Sequence, residues 1–219
     1  MVAREHKEVI TPFQRLMQMP IIVWIYEKMW RKAGYFLASS RTFAEEIRTV
    51  VRLRSSCRAE RILDLACGTG IFTRPLAQQG GGLIVGLDLS WPMIRYARRL
   101  AQREKIQNIF WIRGTANCLP FGDGSFQYVN CCGALHLFDR PDTALKEIYR
   151  VLAPGGHLCV QTTIRPARSM GMTYFLERFI RFGFFDEPEL INKLKVHGFE
   201  IRERERHRIS FTLLAAVIK

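Results

Sequence analysis

The sequence predicts an α/β protein with a doubly wound, seven-stranded and mostly parallel sheet, an antiparallel last strand and helices on both faces. Short apolar segments alternate with amphipathic segments between residues 61 and 163, which is typical of crossover units that pair strands in parallel. A glycine-containing turn joins the first apolar segment to the next helix. Two predicted strands near the C-terminus follow each other closely, which predicts a closing hairpin-like pair.

The strands are predicted from short apolar runs that end at Gly, Pro or acidic residues. The predicted strands cover residues 61–65, 83–88, 108–113, 126–132, 157–163, 199–205 and 209–218.

The helices are predicted from apolar residues spaced three and four apart. The first covers 71–79 and ends at three consecutive glycines. Ser90 can cap the second, since its hydroxyl can accept a hydrogen bond from the first helical turn. Residues 139–142 open a third helix that the Pro-Gly-Gly sequence at 154–156 breaks, and a fourth covers 186–196 with Gly198 as its C-cap.

Two segments differ from this regular pattern. Residues 1–57 are predicted to form a helical N-terminal leader or lid, because aromatic and apolar residues recur at helical spacing between prolines. Residues 58–219 are assigned to the α/β domain, and residues 164–185 to a variable, aromatic and basic insertion within it.

Composition limits the partners and the compartment. The formal net charge of +13 attracts polyanions, although a basic balance also serves solubility alone. The six cysteines form no Cys-x-x-Cys pair and have no zinc-like His spacing, so we expect reduced thiols in a cytoplasmic protein and no metal site. No signal peptide is recognised, and no apolar stretch reaches the roughly 18 residues of a membrane span.

A ligand site is predicted where the first two strands end. Residues 64–70 (DLACGTG) follow a strand and precede a helix, so glycines allow close approach of a ligand to the backbone. Thr73 takes the place of the third glycine of a dinucleotide-binding loop, which counts against NAD and FAD. Asp64 would repel a pyrophosphate but suits a cationic amino group. Asp88 ends the second strand, where a carboxylate can accept both hydroxyls of a ribose.

Four linked motifs are similar to those of the class I S-adenosylmethionine (SAM) dependent methyltransferases, which have a Rossmann-like fold. They are DLACGTG at 64–70, GLDLS at 86–90, LPFGDGSF at 119–126 and LAPGG at 152–156. The resemblance covers about residues 60–163 and is closest to the branch that contains the ubiquinone and menaquinone C-methyltransferases and their chloroplast relatives. It implies SAM as cofactor, S-adenosylhomocysteine (SAH) as product, and a small, aromatic or lipid-like methyl acceptor.

The resemblance also implies roles for single residues. Asp64 would hold the methionine amino group and Asp88 the ribose, with Leu89 and Met93 packed on adenine. The remaining contacts would come from the loop backbone, from the residues near the adenine amino group and from the end of the fourth strand, namely Ala66, Cys67, Gly68, Gly70, Thr115, Ala116 and Cys131 or Cys132. Thr115 stands where the family usually has Asp, so its hydroxyl would accept a hydrogen bond without a charge.

His136 follows the fourth strand on the side where methyl acceptors bind, and we consider it a candidate general base. The alternative is that it only orders the loop. The leader and the 164–185 insertion would form an apolar acceptor pocket and could contact an anionic membrane surface, or could simply pack as lid and core.

Two other function classes stay open at this stage. The positive charge favours an RNA or protein methyltransferase, but residues 130–133 (NCCG) lack the Asn/Asp-Pro-Pro-aromatic sequence that grips a base amine, so nucleic acid is disfavoured. A non-catalytic SAM-binding protein would be expected to lose Asp88 or the glycines. The oligomeric state is not predicted.

Overall fold

A computed structural model describes residues 38–80, 82–166, 174–180 and 182–218, together with Arg15, Gln18, Met19, Val23 and Phe36. Within these residues one sheet has the strand order β3-β2-β1-β4-β5-β7-β6. Its strands are β1 (Arg61–Leu65), β2 (Leu83–Asp88), β3 (Ile109–Arg113), β4 (Phe126–Cys132), β5 (Leu152–Thr163), β6 (Phe199–His207) and β7 (Ser210–Val217).

The predicted fold class is confirmed. The first five strands pair in parallel, and β7 runs antiparallel to both β5 and β6. The strand order reverses between β1 and β4, because β2 and β3 extend the sheet one way and β5 the other. Such a reversal leaves a crevice at the carboxyl ends of the strands, where open α/β sheets bind ligands.

Helices cover both faces of the sheet. They are α1 (Phe43–Ser55), α2 (Thr73–Gln78), α3 (Trp91–Arg103), α4 (Pro141–Val151) and α5 (Glu187–Val196). Apolar residues of α1 and α2 share one buried cluster with Ile62 and Ile84, whereas those of α4 and α5 share another with Leu63 and Val85. Adjacent residues of one strand therefore face opposite layers, as the alternation of a pleated strand requires.

Both of the predicted cap residues lie at helix ends, and a further helix has a cap that was not predicted. The Ser90 hydroxyl accepts the Met93 N–H at 3.4 Å and begins α3. After α5, Gly198 adopts a φ of +86°, the left-handed conformation that makes glycine common just past a helix C-terminus. A capping box formed by Thr42 and Glu45 begins α1.

The Pro-Gly-Gly sequence differs from its prediction. It follows the end of α4, but β5 already starts at Leu152 instead of residue 157. Phe126 of β4 pairs with Leu152, and Tyr128 pairs with His157, so the intervening residues of β5 bulge out of the ladder. Gly155 allows this bulge with a φ of +68°.

Most of the predicted leader lies outside the described residues. Helix α1 falls within residues 1–57, yet it packs on the sheet through Val50 and Leu53 and through buried Glu46, which accepts a hydrogen bond from Gln161 of β5. No helix among the described residues is both long and apolar enough to cross a membrane.

Candidate functional site

A cleft opens at the carboxyl ends of β1, β2 and β3. Seven of the predicted cofactor residues line it, namely Ala66, Gly68, Asp88, Leu89, Met93, Thr115 and Ala116. Four others, Asp64, Cys67, Gly70 and Cys131, are not among its lining residues. Seven of the predicted residues thus share one cleft, and four do not line it, so the predicted cofactor contacts stay a prediction.

The loop after β1 forms the floor of the cleft. Ala66, Gly68 and Gly70 all have a positive φ, of 55°, 54° and 73°, so the backbone turns back sharply over a few residues. A positive φ is unfavourable for alanine, and such strain concentrates at functional sites. A Cβ on Gly70 would lie 2.8 Å from the Trp111 ring, whereas one on Gly68 would meet nothing within 4 Å. The loop is therefore in close contact with Trp111 at Gly70, whereas the space beside Gly68 is free.

Asp88 ties this loop to the next helix. Its Oδ2 accepts the Gly68 N–H and its Oδ1 accepts the Ser90 N–H, both at 2.7 Å. Burial raises the pKa of Asp88, against these backbone hydrogen bonds. Each carboxylate oxygen keeps further acceptor capacity for a hydroxyl in the cleft.

Asp64 is buried beneath the loop. It accepts hydrogen bonds from Asn130 Nδ2 at 2.7 Å and from the Thr73 hydroxyl, and burial raises its pKa to about 6. Thr73, which stands where a dinucleotide-binding loop has its third glycine, therefore donates a hydrogen bond to the carboxylate of Asp64. In this arrangement Asp64 braces β1, β4 and α2, so its role toward a methionine amino group stays a prediction.

The sequence did not predict several residues of the cleft. The β4 side contributes Gly133, Leu137, Phe138 and Asp139, and the loop after β3 contributes Asn117. Asn117 donates through Nδ2 to Asp139 Oδ1 at 3.1 Å, and its N–H donates to the Thr115 hydroxyl at the same distance. The parallel sheet order was the signal for these residues, because it brings the loops after β3 and β4 to one edge.

Comparison with known proteins identifies the family. Residues 62–156 match the family model described as a methyltransferase domain. The chain is 30% identical to a demethylmenaquinone methyltransferase of Lactiplantibacillus plantarum over 84% of the chain and 77% of that enzyme. It is also 43% identical to the Lactococcus lactis enzyme of that name, in an alignment that covers 47% of the chain and 42% of that enzyme. The chain belongs to the class I SAM-dependent methyltransferases.

A solved structure shares the fold of this chain. A SAM-dependent methyltransferase from Aquifex aeolicus superposes with a TM-score of 0.69 at 17% identity, over 91% of this chain and 99% of that one. The relatives place the methyltransferase in the ubiquinone and menaquinone C-methyltransferase branch. Its cofactor is SAM.

The cleft of this methyltransferase fits the cofactor in three respects. The open backbone at Gly68 allows close approach, Asp88 retains acceptor capacity for ribose hydroxyls, and Leu89 with Met93 offers apolar surface for a flat ring. SAM supplies a methyl group that its sulfonium already activates, so the protein chiefly has to position the reactants.

His136 is buried in the short 3₁₀ turn Leu135–Leu137. Its Nδ1 lies 3.2 Å from the Thr162 hydroxyl, its ring packs on Phe182 with a centroid distance of 4.7 Å, and its carbonyl accepts the Gly183 N–H. Burial lowers the pKa of His136 to about 3. The ring is neutral at physiological pH and resists protonation, which favours the loop-ordering alternative over a general base.

Replacing Asp88 should weaken cofactor binding strongly. Asp88→Asn puts an amide donor against one of the two backbone N–H groups and removes the charge that strengthens hydrogen bonds to hydroxyls. We expect SAH affinity, measured by calorimetry, to fall by about 100-fold, which corresponds to about 3 kcal/mol. Asp123→Asn, at an exposed carboxylate outside the cleft, is the control. An Asp88→Asn affinity within twofold of the wild type would contradict the assignment.

The buried neutral His136 should make the protein acid-sensitive. Its folded pKa of about 3 lies below the ordinary 6.5, so the unfolded state binds more protons and stability is lost as pH falls through that window. Urea titrations should show the wild type losing about 1.4 kcal/mol per pH unit relative to His136→Phe between pH 6 and pH 4. The wild type and His136→Phe have the same buried carboxylates, so the pH dependence that these groups contribute cancels in the difference between the two proteins. Parallel stability curves would show that His136 is not buried as a neutral group.

Proposed function

We propose that this methyltransferase transfers a methyl group to a ring carbon of a reduced, quinone-like lipid, in the cytoplasm at the surface of an anionic membrane. The observation behind this proposal is the insertion after β5, which packs against the loop that borders the cleft. Gly183 and Phe182 contact His136. Leu137, which follows His136 in the sequence, lines the cleft. Relatives named demethylmenaquinone methyltransferase support this acceptor class.

The same insertion presents a lipophilic surface. Tyr174, Phe175 and Phe179 are 65%, 51% and 62% exposed, and the two Phe rings lie 5.0 Å apart. Arg178, which lies between the two Phe residues in the sequence, is also exposed. Exposed aromatic clusters mark interaction sites, and aromatic residues next to basic ones, on a protein of net charge +13, suit the interface of an anionic bilayer.

The residues around the cleft suggest how such a transfer proceeds. Asp88 and the β1 loop hold the cofactor, and Leu137 and Phe138 offer apolar surface on the β4 side where a ring can bind. In such a transfer one ring hydroxyl would release its proton to water, and the electron-rich ring carbon would then bond to the methyl carbon as the sulfur–methyl bond breaks. The ring carbon would lose its own proton as the oxygen regains one, so the net loss is one proton and a neutral His136 need only order the loop.

Transfer of radiolabelled methyl groups tests the acceptor. The purified protein should methylate a reduced prenylated naphthoquinone in detergent micelles, and mass spectrometry should place the methyl group on ring carbon. The oxidised quinone should be inert, because its ring carbon is not nucleophilic, and Asp88→Asn provides the blank. Methylation of soluble phenols, or of RNA, in place of the reduced quinone would overturn the proposal.

Vesicle sedimentation tests the membrane surface separately. Phe175→Ser with Phe179→Ser should reduce binding to vesicles containing one-third phosphatidylglycerol by about tenfold or more, since each Phe removed from a bilayer interface costs on the order of 1 kcal/mol. SAH affinity should not change. Phe110→Ser is the matched control, because Phe110 is 58% exposed on edge strand β3. An equal loss of vesicle binding in the double variant and in Phe110→Ser would contradict a role for the insertion.

A further inference from the structure

The surface on the α3 side of the cleft is strongly basic. Residues 91–113 contain six Lys or Arg residues and one acidic residue, so this short stretch carries a formal charge of +5 out of the +13 of the whole chain. The acidic residue, Glu104, pairs with Arg74, which lies outside the stretch. The basic groups of the stretch are therefore not neutralised from within it.

Helix α3 presents these groups on its outer face. Trp91, Arg95 and Arg98 follow each other at spacings of four and three residues, which places their side chains in one row along the helix. All three are exposed, as are Arg99 and Arg103 beside them. Within the part of the chain that the structure describes, none of the four arginines pairs with a carboxylate. We call these five residues the α3 face.

The α3 face reaches the mouth of the cleft. Leu89, Ser90 and Met93 line the cleft, and Trp91, which lies among them in the sequence, is 45% exposed. Arg113 is exposed at the end of β3 and donates through Nε to the Leu89 carbonyl at 3.1 Å. An exposed aromatic residue and an exposed guanidinium thus stand beside the loop that joins β2 to α3.

The other side of the cleft has a lipophilic neighbour. In the sheet order β1 lies between β2 and β4, so the loops after β2 and β4 border the cleft from opposite sides. The turn after β4 is held by the insertion, which exposes Tyr174, Phe175 and Phe179. The mouth of the cleft therefore lies between a basic surface and an aromatic one.

We propose that the α3 face, together with Arg113, binds the phosphate groups of an anionic bilayer, so that the cleft opens onto the membrane and a lipid acceptor enters it from the bilayer. Guanidinium groups bind phosphate through two parallel N–H donors, and Trp is enriched where membrane and water meet. The inference rests on the proposed function, because the lipid acceptor gives this orientation its purpose.

A bilayer fits this surface better than a nucleic acid does. Proteins hold single-stranded nucleic acids in basic grooves, where several aromatic side chains stack on successive bases. The α3 face is the convex side of a helix, and its one aromatic residue, Trp91, lies at the helix end. A planar layer of phosphate groups can contact such a convex face without a groove.

Vesicle sedimentation with two double variants of equal charge tests the surface. Arg95→Gln with Arg98→Gln removes two cations from the α3 face. Arg58→Gln with Arg61→Gln removes two exposed cations at the amino end of β1, on the sheet edge opposite the cleft. Since each cation at an anionic surface contributes about fivefold in affinity, the first variant should bind vesicles containing one-third phosphatidylglycerol about tenfold or more weakly than the wild type. The second should lose no more than about twofold, because its cations do not reach the bilayer.

Two activity measurements separate this inference from the proposed function. Methylation of the reduced quinone in detergent micelles should be unchanged in Arg95→Gln with Arg98→Gln, because neither residue lines the cleft. Methylation of the same quinone in anionic vesicles should fall together with vesicle binding. A wild type that does not methylate the quinone in micelles contradicts the proposed function, whereas the vesicle comparison decides the α3 face.

Four results would overturn the role of the α3 face. They are wild-type vesicle binding in Arg95→Gln with Arg98→Gln, an equal loss in both double variants, an equally large loss with neutral phosphatidylcholine vesicles, and a loss of binding to an RNA oligonucleotide without a loss of vesicle binding. Unchanged SAH affinity in both double variants would show that the substitutions leave the fold of the cleft intact, so that any change in vesicle binding comes from the surface.

Discussion

The Asp88 carboxylate is the contact on which the cofactor half of the molecule depends. One of its oxygens accepts the Gly68 N–H and the other the Ser90 N–H, so a single side chain joins the loop after β1 to the start of α3. Both contacts are charge-assisted and partly buried, which makes them strong but leaves an ionised group with reduced solvation. Hydroxyls of a bound ribose would add the solvation that burial removes. Ligand binding and loop order are thereby linked through one group.

Local signals in the sequence predicted the elements, and contacts between distant segments explain what was missed. Ser90 caps α3 because the hydroxyl and its N–H partner are three residues apart, and β1 and β2 were recognised from their own apolar runs. Asn117 and Asp139 lie 22 residues apart, and only the sheet order brings them together. The bulge at Gly155 arises because β5 must pair with β4 on either side of it, which the composition of that segment does not reveal.

Asp64 and His136 show how burial changes the chemistry that a residue type suggests. Both are polar groups near the carboxyl edge of the sheet, and both were predicted to act on ligands. Asp64 is enclosed by Asn130 and Thr73 with a pKa of about 6, so ionisation costs free energy and the group braces β1 against β4. His136 is enclosed by Thr162 and Phe182, and burial lowers its pKa to about 3, which weakens it as a base. Residue type and position indicate a site, but solvation decides the role.

The two halves of the cleft are built in different ways, and this difference bears on specificity. The cofactor half is formed by short loops that directly follow β1, β2 and β3, so the sheet itself positions them. The β4 half depends on a turn at Leu135–Leu137 that is held from outside by the insertion, through the Gly183 N–H and Phe182. A Cβ on Gly183 would lie 2.6 Å from the His136 carbonyl oxygen, so the insertion approaches this turn as closely as only glycine allows. Changes in the insertion can therefore reshape the wall that we propose faces an acceptor, while the loops proposed to hold the cofactor stay in place.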